Sequence, residues 1–134
     1  MTPIVEDRAA LAPTVEAPTR ARRWLDWLRP HLPPETAADL DVVVSELVTN
    51  AVLHAGLGED DRIEVCAQLF KECVRVAVRD GGRGIPADVS TALPETTRLG
   101  QRGLFLVHRL SSRVLIDGPL GKVSVQFPRA LPNP

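Results

Sequence analysis

Apolar positions along the chain change period repeatedly, and each change marks an element. From Thr19 onward, Ala21, Trp24, Leu25 and Leu28 recur at spacings of three and four, which predicts a helix with one packed face that Pro30, Pro33 and Pro34 end. A longer helix is predicted from near Glu35 to Gly56, a glycine being well suited to the residue that stops a helix. Its stripe runs through Leu40, Val43, Val44, Leu47, Val48, Ala51 and Val52. The period then drops to two. Ile63, Val65, Ala67 and Leu69 alternate with Glu64, Cys66 and Gln68, and Val74, Val76 and Val78 alternate with Arg75, Ala77 and Arg79. With Lys71 and Glu72 as a two-residue turn, Leu69 faces Val74, Cys66 faces Ala77 and Glu64 faces Arg79, so the apolar side chains pair on one side of a hairpin. A third helix is predicted over residues 103–110 and two last strands over 114–116 and 123–127.

Helix, helix, two strands, helix, two strands predicts an α+β fold: a two-layer α/β sandwich, its sheet mostly antiparallel and its helices on one face. Residues 1–17 hold prolines and scattered acids without a sustained period and read as a flexible leader. Residues 18–130 form the domain and 131–134 a tail. The 134 residues are 44% apolar and 25% charged, proportions of one ordinary soluble domain. A formal net charge of -1 supplies no basic field for gripping a phosphate backbone, so no direct nucleic-acid binding is expected. No apolar run approaches the roughly 20 residues of a membrane span and no signal peptide precedes the domain, so a cytoplasmic protein away from the membrane is expected. Cys66 and Cys73 are out of register in the hairpin, so neither a disulfide nor a zinc site is expected.

Three places carry residues that packing alone does not call for. On the long helix, Glu46, Asn50 and His54 are spaced by four and share a face. They form either a solvated polar stripe or a carboxylate base beside an amide oxygen able to hold a hard cation such as Mg²⁺. After the strand ending near Arg79 comes Asp80-Gly81-Gly82-Arg83-Gly84, with more glycine than a turn needs. Such a loop lets a flat ligand lie against backbone, with Asp80 placed to accept a hydrogen bond from an exocyclic amine. Leu99-Gly100-Gln101-Arg102-Gly103-Leu104 reads as a glycine loop running into a helix, where free amides and the positive end of the helix dipole favour a phosphate.

In this order, Glu46-x-x-x-Asn50-Ala51-x-x-His54-Ala55, Asp80-x-Gly82-x-Gly84 and the Gly100/Gly103-Leu104 turn resemble the N, G1 and G2 boxes of the GHKL ATPases, the superfamily of gyrase, the heat-shock chaperone and the histidine kinases. The Ser-Glu-Leu-Val-Thr-Asn-Ala-Val-x-His-Ala run and the Arg-Gly-Leu-Phe-Leu-Val run are most similar to the small anti-sigma-factor serine/threonine kinases and their actinobacterial relatives. The resemblance covers residues 17–127. It implies a Bergerat-type sandwich that binds ATP with Mg²⁺. Asn50 would hold the metal, Glu46 would be the catalytic base and Asp80 would read the adenine amino group. Gly82 and Gly84 would admit the ring. Residues 87–102 would form a lid, and Gly100, Arg102, Gly103 and Leu104 would line the phosphates.

The chain departs from that pattern in two places. Gln101-Arg102-Gly103 replaces the usual Gly-x-Gly, with Arg102 a candidate phosphate clamp. The threonine common in the last hairpin is missing, leaving Ser124 as a substitute. The implied partners are a sigma factor and an anti-anti-sigma (STAS-like) protein whose serine receives the phosphate. Dimerisation is common in that branch, with Trp27 and the first helix as candidate contributors to a homodimer. Two alternatives stay open beside the kinase: a switch that binds ATP or sigma factor without transferring phosphate, and an interaction domain whose site has decayed.

Overall fold

The computed structural model describes residues 2–80, 99–118 and 120–130. The elements run β1 (Val5–Leu11), α1 (Ala17–Trp24), two single 3-10 turns, α2 (Pro34–His54), β2 (Ile63–Leu69), β3 (Cys73–Asp80), α3 (Leu99–Leu110), β4 (Arg113–Asp117) and β5 (Lys122–Pro128). The strands form one antiparallel sheet in the order β1-β2-β3-β5-β4.

The hairpin follows the register that its alternation dictates. Leu69 pairs with Val74, Cys66 with Ala77 and Glu64 with Arg79. Ile63, Val65, Ala67 and Leu69, with Val74, Val76 and Val78, all point into the core, joined by Val123, Val125 and Phe127 of β5. Against that face lie the buried side of α2 (Leu40, Val43, Val44, Leu47, Val48 and Ala51) and Leu25 and Leu28 from the turns after α1. Helices therefore cover one side of the sheet, as the element order predicts.

Three boundaries differ from the sequence reading. Residues 5–11 are not a flexible leader: β1 pairs along its whole length with β2, from Val5 opposite Leu69 to Leu11 opposite Ile63. Its pattern was hidden because Asp7 stands on the helix side of the strand, where it accepts a hydrogen bond from Trp24 Nε1 at 2.9 Å. The first helix begins at Ala17 and tightens into 3-10 turns from Leu25, and Pro30, which has no N–H to donate back to Asp26, could not have continued an α-helical ladder. The third helix begins at Leu99, so the segment from Gly100 to Gly103 forms its first turns and is not a loop ahead of it. Gly56, with φ 67°, follows the end of α2 in the left-handed conformation that glycine adopts without strain. Among the described residues no helix is long and apolar enough to cross a membrane.

Candidate functional site

Chain connections bring the three segments to one end of the molecule. The N-terminal end of α2 follows His31, whose carbonyl accepts from Arg129 Nε. The same guanidinium donates to the carbonyls of Phe70 and Lys71, which fixes that end of α2 beside the β2–β3 turn. Running away from the turn, α2 ends at His54, and the chain enters β2 at Ile63, directly opposite Asp80. Helix α3 runs the other way. It stops at Leu110, and β4 begins at Arg113 beside Gln126, which itself pairs with Arg75 toward the turn end. The N-terminal turns of α3 therefore lie at the end where α2 finishes and β3 delivers Asp80.

The roll of α2 decides which side chains reach that space. At about 100° per residue, Asp41 and Ser45 lie along one border of its buried stripe, and Glu46 and Asn50 lie along the other. The first border belongs to the α1 region. Arg22 donates to Ser45 Oγ at 2.7 Å, and Arg29 bonds Asp41 at 2.5 and 3.3 Å and also the carbonyl of Arg22. Helix α2 also packs against α3, which leaves the border of Glu46 and Asn50 to that side. Both residues are half-buried, while His54, in the last turn of α2, is exposed and suits the negative end of the helix dipole.

Asp80 occupies the next core-facing position after Val74, Val76 and Val78, so its carboxylate emerges on the helix side of the sheet. It is 8% exposed and, with Thr36, one of two buried polar side chains among the described residues. Its backbone N–H donates to the carbonyl of Gly121 at 3.0 Å. Gly121 holds φ at 62°, and no role was read for it, because in sequence it is one glycine of an ordinary turn. A carboxylate buried where three elements meet is the kind of group that fixes the orientation of a ligand in a pocket.

Glu46, Asn50 and Asp80 thus share one end of the helix layer with the backbone of Gly100, Arg102, Gly103 and Leu104 in α3. The first N–H groups of α3 lack partners inside their own helix, a natural anion seat. Gly82 and Gly84, and the lid residues from 87 to 98, lie outside the described residues. Ser124 is not part of the site. It pairs with Ala77 and Leu115 on the opposite face of the sheet, so its hydroxyl cannot replace a threonine on the helix side. The Arg22–Ser45 contact was also missed. Ser45 sits inside the motif beside Glu46, and only the packing of α1 shows what its hydroxyl does. The donor set fits a magnesium nucleotide: a buried acceptor for a base, a carboxylate and an amide on one helix border, and helix amides for phosphates.

Several known proteins are similar to this chain. Residues 10–127 match the histidine kinase-like ATPase domain family. Serine-protein kinase RsbW of Listeria monocytogenes is 35% identical over 91 residues, covering 60% of this chain and 57% of that protein. Blue-light-activated histidine kinase 2 of Erythrobacter litoralis is 41% identical over 76 residues, or 53% of this chain and 20% of that protein. The chain thus spans a little over half the length of the RsbW relatives it matches. Among solved structures, the RsbU and RsbW domains of Rv1364c from Mycobacterium tuberculosis superpose with a TM-score of 0.68 at 26% identity, over 98% of this chain and 34% of that one. The histidine kinase domain of an Erythrobacter litoralis blue-light activated kinase superposes with a TM-score of 0.53 at 33% identity, over 72% of this chain and 46% of that one. An antiparallel sheet under the three helices of the described residues, the ordered motifs and a family match over nearly the whole chain lead to one assignment: the protein belongs to the histidine kinase-like ATPase domain family.

Proposed function

We propose that the protein is a cytoplasmic anti-sigma-factor serine/threonine kinase that binds ATP with Mg²⁺ and phosphorylates a serine of an anti-anti-sigma (STAS-like) partner. The observation that carries this reading is the convergence of Glu46, Asn50, Asp80 and the α3 N-terminus at one end of the helix layer. The likeness to proteins named serine-protein kinase RsbW supports the choice of reaction. The magnesium nucleotide supplies a γ-phosphoryl group whose transfer depends on positioning and charge neutralisation more than on covalent participation by the protein.

Each residue then has a task its position suits. Asp80 accepts a hydrogen bond from the adenine amino group, and burial strengthens that bond by excluding competing water. The Asn50 amide oxygen is a neutral, hard ligand for Mg²⁺. Glu46, one helical turn before it, takes the proton from the serine hydroxyl as that oxygen attacks. The α3 amides, with Arg102 as a clamp, hold phosphate oxygens, and Gly82 and Gly84 let the base approach the loop. The sigma factor is the second partner, and a homodimer is the proposed assembly.

One observation favours the second reading, a switch that binds ATP or sigma factor without transferring phosphate. The backbone from Gly100 to Gly103 is already helical and lacks the free glycine loop expected around phosphates. Incubation with labelled ATP, Mg²⁺ and a STAS-like protein distinguishes the two. Transfer by wild type, lost in Glu46→Ala with ATP binding retained, supports the kinase. ATP binding with no transfer to any serine supports the switch.

A further inference from the structure

The face of the sheet opposite the helices is a basic trough. Odd-numbered residues of β3, even-numbered residues of β1, β2 and β5, and odd-numbered residues of β4 point to it, and pairing arranges them in three rows across the strands. The row nearer the β2–β3 turn contains Arg75 and Arg113 on either side of Gln126. The row toward the opposite end contains Arg79 and Lys122, directly opposite one another. Between them runs a low row, Cys66, Ala77 and Ser124, with Arg8 at one edge and Leu115 at the other. The resulting trough has a volume of about 880 Å³.

Charge and shape both constrain what fits there. The face carries Arg8, Arg75, Arg79, Arg113 and Lys122 against Glu6, Glu64 and Asp117, an excess of positive charge on a chain whose net charge is -1. Arg8 pairs with Glu6 at 3.5 Å and Arg79 with Glu64 at 4.0 Å. Arg75 lies over the Phe70 ring at 5.1 Å, and Arg75, Arg113 and Lys122 have no ion-pair partner among the described residues. Arg79 and Lys122 stand directly opposite one another, with Glu64 beyond Arg79 and Asp117 beyond Lys122 in the same row. The outer rows are four residues apart along each strand, about 14 Å, and an α-helix with its side chains is about 10–12 Å across.

We propose that this trough is a docking surface for an acidic amphipathic helix of a partner protein. The helix lies across the strands on the Cys66–Ala77–Ser124 floor, with carboxylates on its two flanks reaching Arg75 and Arg113 on one side and Arg79 and Lys122 on the other. A second copy of this face is a poor occupant, because it would set one positive excess against another. The surface lies across the sheet from the nucleotide site, so the proposal is independent of the kinase reading.

The test uses the full chain and a labelled synthetic helix of about 18 residues, about 27 Å long, built from Ala, Leu and Glu with Glu on both flanks. Binding is followed by fluorescence anisotropy, with circular dichroism and ATP binding confirming that each variant is folded. The wild type is expected to bind, and Arg75→Glu/Arg113→Glu to weaken binding about tenfold, a loss of about 1.4 kcal/mol. Ala77→Lys adds a cation while filling the floor, and it too is expected to weaken binding about tenfold. Binding that Ala77→Lys leaves unchanged or strengthens would reflect unspecific charge attraction and overturn the proposal. So would tighter binding of a single-stranded RNA of equal charge, or a wild-type dimer in light scattering that Ala77→Lys dissociates.

Discussion

Cys66 sits on the open face of the sheet, opposite Ala77, with its side chain half-buried. Partial burial raises the pKa of its thiol, and the Glu6 carboxylate nearby adds to the effect. A thiol whose folded pKa lies above its unfolded one contributes fully below the unfolded value and loses that contribution as pH climbs through the folded value. Urea titrations from neutral to alkaline pH should therefore show wild type losing more stability than Cys66→Ser above the ordinary thiol range, with parallel curves below it. Equal alkaline slopes would show that the thiol does not sense its surroundings. At this scale the sequence was informative wherever spacing alone decides. Glu46 and Asn50 share a helix border because they are four apart, and Cys66 misses Cys73 because the turn fixes register. Alternation also assigns Asp80 to the core side, but its burial there and the bond of its backbone to Gly121, more than forty residues away in sequence, are not local signals.

Between elements, the polar contacts joining the α1 region to α2 fix the roll of the helix that carries Glu46 and Asn50. Arg29 bonds Asp41, Asp26 and the carbonyl of Arg22, and Arg22 in turn holds Ser45 and Thr19. The pKa of the Arg29 guanidinium is held above the ordinary range, chiefly by the hydrogen bond to Asp41. Arg29→Ala leaves a half-buried carboxylate and a carbonyl without their donor, for an expected loss of about 1–3 kcal/mol by denaturant titration. Arg29→Ala/Asp41→Ala should recover part of that loss, and full additivity would mean that the two residues do not act together. Deleting residues 2–11 tests β1 in the same way. A flexible leader could be removed at no cost, whereas loss of a paired strand over Val65 and Ala67 should cost about 2 kcal/mol or more and lower Tm by about 6–10 °C. The strand was illegible because an aspartate occupies a helix-side position near its exposed end, where it accepts a bond from the Trp24 indole of another element. The start of α3 was illegible for the opposite reason. Gly100 and Gly103 each disfavour helix by about 1 kcal/mol, and packing against α2 outweighs that preference.

Across the whole molecule, the sequence contained the order of the motifs but not the end of the sheet at which they meet. That follows from α2 and α3 running in opposite directions over one antiparallel sheet, so that the last turns of one and the first turns of the other flank the same strand end. A ligand held there touches α2, β3 and α3 together and should stabilise the domain as a unit. At a concentration one hundred times its Kd, MgATP would add about 2.7 kcal/mol, which for a domain of this size raises Tm by about 8–12 °C. Asp80→Asn removes the charge and turns one of the two acceptor oxygens at the buried end of the site into a donor, so its thermal shift at the same MgATP concentration should be much reduced. Glu46→Ala should keep the shift, because a base for the attacking hydroxyl contributes to transfer and not to holding the nucleotide. The pair separates binding from chemistry within one melting experiment. A wild type indifferent to millimolar MgATP would leave a sandwich of this family with its site closed, and a shift lost in Glu46→Ala but kept in Asp80→Asn would reverse the roles of the two carboxylates.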